Sequence, residues 1–262
     1  MCPFIDLGII KLSVFPIILV LAIFSCILTY MFSDKYDNFY FSQIRASSIY
    51  CMIGAGIVGK LLYVFTTMPI FGLSVFERLG GFVFFGGLIG AVLGLYIYSI
   101  RKWNRFLDLL DTYVSIIPLG QAIGRIGCFF NGCCYGKTYN GFFSVRYIVN
   151  YIETFVFPTW FIESGFCFLL FICMFCISKQ LFAGMYSAIY MMSYSLFRFI
   201  IEFFRGDSLR GVWCGLSTSQ YISIGIFFIG VVILIKSNLI KEKNLLIIRR
   251  RKNGNRCISR CV

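Results

Sequence analysis

Long apolar runs separated by short polar segments set the architecture of this chain. Seven runs fall near Leu12–Phe32, Ser47–Phe65, Gly81–Ile100, Thr112–Phe130, Thr159–Ser178, Gly184–Phe204 and Ser217–Ile235. Each approaches the roughly 20 apolar residues that carry a helix across a bilayer. Buried helices of a soluble domain keep a polar face, and these runs do not. The pattern predicts an all-α integral membrane protein of about seven transmembrane helices. The first run has no basic segment before it and no clear small-residue cleavage site, so it reads as an uncleaved anchor.

Composition agrees. Hydrophobic residues make up 59% of the chain and charged ones 13%, against roughly 25% charged in ordinary soluble domains. Lys and Arg set the orientation. With the N-terminus outside, fifteen basic residues lie on the inner side, six on the outer side and three within spans, and nine of the inner fifteen lie in the C-terminal tail. The expectation is therefore N-terminus outside and C-terminus cytoplasmic. Residues 1–237 form a polytopic domain, 131–158 an outer-face loop segment, and 238–262 a basic cytoplasmic tail. That tail accounts for most of the net charge of +13. Directly after a span, it suits anionic membrane lipid, at about 1 kcal/mol per cation, or a solvated topology-fixing tail, rather than nucleic acid.

The charges left inside the spans are the informative ones. A guanidinium at membrane depth costs several kcal/mol and is retained mainly where it meets a partner or a function. Arg125 lies near the end of the fourth run and opens Gly124-Arg125-Ile126-Gly127-Cys128-Phe129-Phe130-Asn131-Gly132-Cys133-Cys134-Tyr135-Gly136. Tyr194, Arg198, Glu202 and Arg205 are spaced by four, four and three residues, which sets them on one helix face. Alternating topology brings these groups to one end of the bundle together with Lys60 and Tyr63 of the second run and Gly86-Gly87 of the third. Two or three cations around one carboxylate leave an excess positive field, and Arg can hold phosphate oxygens with two parallel hydrogen bonds. The alternative for Arg198–Glu202 alone is a buried pair that orients helices. No P-loop or dinucleotide fingerprint is present. A phosphate at this depth most economically means a phospholipid headgroup. Cys128, Cys133, Cys134 and Cys214 fall near one end of their spans, where a disulfide or a metal is an alternative, but the twelve cysteines match no standard zinc spacing and the chain has no His, so neither a metal nor a cofactor is expected.

At this point the residues resemble a family. Gly124–Gly136 is similar to the Gly-Arg-x-Gly-Asn-x-x-Asn-Gly-Glu-x-x-Gly signature of the prolipoprotein diacylglyceryl transferases. Gly86-Gly87-Leu88-Ile89-Gly90 resembles their Gly-Gly-Leu-Ile-Gly motif, and Pro158-Thr159 through Glu163 the end of their His-Pro-x-Gln-Leu-Tyr-Glu motif. Tyr194, Arg198, Glu202 and Arg205 match a Tyr-x3-Arg-x3-Glu-x2-Arg helix. Gly215-Leu216-Ser217 with Gln220 resembles the Gly-Leu-Ser-x-x-Gln motif before the last span.

The resemblance implies a multi-pass protein of the bacterial cytoplasmic membrane. Its implied activity moves the diacylglyceryl group of phosphatidylglycerol to the lipobox Cys thiol of a preprolipoprotein and releases glycerol 1-phosphate. Arg125 and Arg198 are then expected on the headgroup phosphate, with Lys60 and Arg205 as supporting cations, and Glu202 orients Arg198 or Arg205. Tyr63, Gly86, Gly87, Asn131 and Gly132 are expected to line the substrate site. Tyr194 is a headgroup contact or a packing residue. Glu163 belongs to the site or ties the outer loop to the spans.

The sequence departs from the family's motifs where a base would be sought. Phe85 and Phe157 stand at its His positions, Cys128 and Cys133 replace the signature Asn and Glu, and Trp160 and Ile162 replace Gln and Tyr. Two further readings follow: a transferase of the same fold with another acceptor or lipid donor, and a non-enzymatic phospholipid-binding membrane protein.

Overall fold

The computed structural model describes residues 4–6, 11–32, 38–67, 84–103, 106–149, 152–176, 182–206 and 212–258. A short strand pair, β1 (Phe4–Asp6) and β2 (Lys11–Ser13), leads into α1 (Val14–Met31). Then come α2 (Asn38–Thr67) and α3 (Phe84–Tyr98), the latter closed by a π-turn over Ser99–Trp103. The helices α4 (Phe106–Val114) and α5 (Ile117–Phe130) follow. A hairpin of β3 (Val145–Val149) and β4 (Ile152–Val156) precedes α6 (Thr159–Cys176). Last are α7 (Met185–Ile201), the two-residue strands β5 (Val212–Trp213) and β6 (Leu216–Ser217), and α8 (Thr218–Ile258).

The described part of each apolar run falls mainly on helix. Among the described residues, four helical stretches are long and apolar enough to cross a membrane: Val14–Met31, Ser42–Val64, Thr159–Cys176 and Thr218–Leu239. The bent pair α4–α5 makes a fifth, with 40° between its halves. The bend has a cause in sequence. Pro118 lacks an N–H and crowds the carbonyl four residues back, at Val114, so α4 stops there and α5 starts after a two-residue turn. The remaining two runs form helices of 15 and 17 residues, about 22 and 26 Å long by helical rise.

The outward faces of these helices are apolar. Val20 is 64% exposed, Met52 74% and Phe228 62%, with Leu19, Ile23, Phe24, Ile229 and Val232 similarly uncovered. So much apolar surface is what lipid covers and water does not. The chain is a multi-pass membrane protein. The last helix, α8, runs on from its apolar stretch into the basic residues and continues through Ile258.

The chain divides into two compact units, residues 1–32 with 111–262, and residues 33–110. In the second unit α2 and α3 lie along one another on a glycine seam. Gly86, Gly90 and Gly94 recur every four residues on α3. A Cβ at Gly86 would lie 2.8 Å from the Gly59 Cα, one at Gly90 would meet the Gly54 carbonyl, and one at Gly94 the Tyr50 carbonyl. This is the small-residue spacing that lets membrane helices approach backbone to backbone. In the first unit α1 packs on α5, α5 on α6, and α7 on α8. Beside the β3–β4 hairpin a core forms from Tyr147, Val156 and Trp160, with Cys128, Phe129, Cys134 and Tyr135 packed against them.

Candidate functional site

The first unit holds a buried ionic network drawn from α5, α6 and α7. Its centre is Glu163, on the first turns of α6 and 1% exposed. A carboxylate at that depth must be paired and hydrogen-bonded, and this one is met from three sides. Arg125 Nη2 reaches its Oε1 at 2.8 Å, Arg198 Nη1 reaches Oε2 at 3.3 Å, and the Tyr194 hydroxyl donates to Oε1 at 3.1 Å. One turn along α7, Arg198 Nη2 bonds Glu202 Oε2 at 2.9 Å, and Arg205 Nε lies 3.9 Å from the same oxygen. Glu202 Oε1 accepts from the Ser217 hydroxyl at 3.0 Å, and Ser219 Oγ accepts from Arg198 Nη2 at 3.3 Å.

Three guanidiniums therefore surround two carboxylates, leaving one net positive charge. The sequence placed one carboxylate in this cluster and left Glu163 between two roles; the geometry makes Glu163 the bridge between Arg125 and Arg198. The two arginines also differ. Each terminal nitrogen of Arg198 faces a carboxylate, and its side chain is 10% exposed, whereas Arg125 has one carboxylate partner and is 22% exposed. Arg125 is the more open of the two to an incoming anion.

The supports are local. Ser217 and Gln220 make a reciprocal cap at the start of α8. Gln220 Oε1 accepts from the Ser217 N–H at 2.9 Å, and Ser217 Oγ accepts from the Gln220 N–H at 3.2 Å. Ser217 Oγ thus both caps α8 and holds Glu202. Arg205 is fixed by its backbone, which pairs with Gly136. The Gly206 N–H donates to the Tyr135 carbonyl at 3.0 Å, and a Cβ on Gly206 would come within 2.5 Å of the Gly136 carbonyl oxygen. Sequence reasoning passed over Asp111. Its carboxylate accepts from the backbone N–H of Gly184 at 2.6 Å and of Ser187 at 2.8 Å, and from the Ser187 hydroxyl at 2.5 Å, capping α7 from a distant part of the chain. The available signal was a carboxylate at the edge of an apolar run, three residues after Asp108.

Asn131 closes α5, is exposed, and points its amide at the Cys133 sulfur, 3.9 Å away. Gly132 follows with φ +76°, a left-handed turn that glycine takes without strain. Trp160 and Cys133, two of the departures from the family's motifs, are linked. The Trp160 indole is fully buried and donates to the Cys133 carbonyl at 2.6 Å, while Thr159 Oγ1 donates to the Cys134 carbonyl at 2.8 Å. The Cys128 and Cys133 thiols, with Arg205 close by, lower the pKa of Cys134.

Lys60, Tyr63, Gly86 and Gly87 belong to the second unit. Lys60 Nζ lies 5.9 Å from the Tyr63 ring centre, a cation–π contact within α2. Gly86 and Gly87 are buried, and the α2 backbone accounts for the missing side chain of Gly86. The Phe85 side chain lies outside the described residues.

Comparison with known proteins fits this geometry. Residues 3–236 match the family model described as prolipoprotein diacylglyceryl transferase. A phosphatidylglycerol–prolipoprotein diacylglyceryl transferase of Clostridium tetani is 36% identical over 189 residues, covering 70% of this chain and 76% of the relative. One from Clostridium novyi is 34% identical and covers 80% of this chain and 85% of its own length. One from Rickettsia bellii is 31% identical over 72% and 76%. The arginine–glutamate network thus lies inside the matched region, and the chain belongs to the prolipoprotein diacylglyceryl transferase family.

Proposed function

We propose that this chain is a phosphatidylglycerol–prolipoprotein diacylglyceryl transferase. It moves the diacylglyceryl group of phosphatidylglycerol onto the lipobox cysteine of a preprolipoprotein and releases glycerol 1-phosphate. The observation that carries the reading is Arg125, a half-buried guanidinium braced by Glu163 within the segment that resembles the family signature.

In this reaction an acceptor thiolate attacks the glyceryl carbon next to the phosphate ester, and negative charge grows on the departing phosphate. Arg125 is the group that meets that charge. Arg198 acts through Glu163 and Glu202 as a positioning residue, and Arg205 adds to the field. Fixed donors in a dry site act before any solvent has to reorganise, and removing one such donor commonly lowers rate about 10²–10³-fold. Asn131 and Gly132 shape the loop beside Arg125. Lys60, Tyr63 and Gly87 are proposed as further lipid contacts from the second unit. An apolar groove between α7 and α8, lined by Leu196, Phe199, Ile224 and Phe228, suits an acyl chain.

All seven helical runs are taken as spans, with the N-terminus outside and the C-terminus cytoplasmic, in a bacterial cytoplasmic membrane. The test is transfer from phosphatidylglycerol to a lipobox peptide by the purified protein, read as a diacylglyceryl adduct on the peptide Cys. No adduct from folded protein overturns the reading.

A further inference from the structure

Three thiols converge where the family's signature carries an Asn and a Glu. The sulfurs of Cys128, Cys133 and Cys134 all lie within 4.8 Å of one another. Three thiolates on one zinc-sized ion, each about 2.3 Å away, stand roughly 3.8–4.0 Å apart, so small side-chain shifts close this group on an ion. The spacing of one cysteine, then two adjacent ones five and six positions on, hides the arrangement from a sequence scan. Space brings them together because the chain reverses after α5. Gly132 and Cys134 both take left-handed backbone, at φ +76° and +62°. For cysteine that conformation is strained, and strain of this kind persists where surrounding structure enforces it.

The enforcement is visible. The carbonyls of Cys133 and Cys134 are gripped by the Trp160 indole and the Thr159 hydroxyl from the first turn of α6. Asn131 Nδ2 and Arg125 Nη1 each stand 3.9 Å from a sulfur, of Cys133 and Cys134 respectively. Those donors orient and offset thiolate charge, as groups around a metal site commonly do. All three cysteines are half-buried, so an ion can reach them. Among the described residues no fourth Cys, Asp or Glu joins the group, and the chain has no His. Three protein ligands with an open fourth position is the arrangement of catalytic rather than structural zinc.

We propose that Cys128, Cys133 and Cys134 form a three-thiolate site for a thiophilic divalent cation of the zinc class, whose open position takes the acceptor cysteine of the prolipoprotein. The acceptor role rests on the transferase reading; the metal site does not. Coordination releases the acceptor's thiol proton to water, since a coordinating thiol is deprotonated outright. The sulfur then forms its bond to the glyceryl carbon as the carbon–oxygen bond to phosphate breaks. The electron pair of that bond leaves on the phosphate oxygen, beside Arg125. The metal thereby does the work of a base in a chain without histidine.

The test uses the full chain, reduced and purified in detergent, with cadmium as the probe because its thiolate bonds absorb in the ultraviolet. The expected result is one cadmium per chain. Cys128→Ser, Cys133→Ser and Cys134→Ser should each weaken it roughly 10- to 100-fold or more, while Cys173→Ser leaves it unchanged. No saturable thiolate absorption, or absorption that survives all three substitutions, overturns the site; so does a disulfide within the cluster in the purified protein. Transfer to a lipobox peptide is then compared in chelator-stripped and zinc-reloaded protein. Activity restored by zinc is expected. Equal activity in both states overturns the acceptor role and leaves the transferase reading standing. No transfer in either state overturns the transferase reading and the acceptor step with it, while the cadmium titration still decides the site.

Discussion

The α2–α3 pair and the α5–α7 network both depend on glycines and both lie among apolar helices, yet the glycines do different work. On α3 they recur every four residues and let two backbones touch; no charge is involved, and the gain is close packing. Around the network they sit at chain reversals. Gly132 supplies a left-handed turn, and Gly136 and Gly206 let two segments cross so that Arg205 is set beside Glu202. Glycine spacing at fixed helical intervals marks a seam, whereas glycine among Arg, Asn and Cys at a helix end marks a built loop.

The contrast can be broken experimentally. Glu163→Ala should have the largest effect, because it leaves Arg125 and Arg198 facing each other without their shared carboxylate. Breaking a buried pair by removing one partner costs about 3–5 kcal/mol. Unfolding of the detergent-solubilised protein would measure it, and a loss under about 1 kcal/mol would show that the network is not ionic in the sense argued. Gly90→Ala should come next, at about 1–3 kcal/mol of overpacking. It should loosen α2 against α3 while leaving the Arg125–Glu163 contact intact. Crosslinking between cysteines placed on α2 and α3 reports the first effect, and undisturbed packing would refute the seam.

Trp160→Phe keeps most of the ring packing but orphans the Cys133 carbonyl, a change worth about 1–3 kcal/mol. It should also weaken cadmium binding, which separates a role in holding the cysteine loop from packing alone. Ser217→Ala should be smallest, about 1 kcal/mol for a lost helix cap, with a modest fall in transfer because Glu202 loses its hydroxyl donor. Unchanged stability and activity would remove Ser217 from the supporting shell.

The sequence carried the helices well because a run of about 20 apolar residues has few other uses. Pro118 was present in the fourth run, but only the structure shows that it divides the run into two helices. Arg125, Arg198 and Glu202 were legible as charges out of place. Glu163 was harder to read, because one carboxylate at the start of a span gives no spacing signal, and its partners come from two other helices. The β3–β4 hairpin was read only as part of an outer loop. Its strand-forming Val, Tyr and Ile residues were a usable signal, overshadowed by the stronger apolar runs around it. The sequence gathers Cys128, Cys133 and Cys134 near one end of their spans, but their convergence was not legible, since it depends on two left-handed residues and on carbonyls held from α6.

The most direct test of the central claim compares wild type, Arg125→Ala and Arg125→Lys for transfer from phosphatidylglycerol to a lipobox peptide, by mass spectrometry, alongside a check of membrane insertion. An adduct is expected with wild type, about 10²–10³-fold less with Ala, and a loss nearly as deep with Lys, whose point charge cannot replace a planar fork. Near-wild-type transfer by either properly inserted variant would contradict that claim.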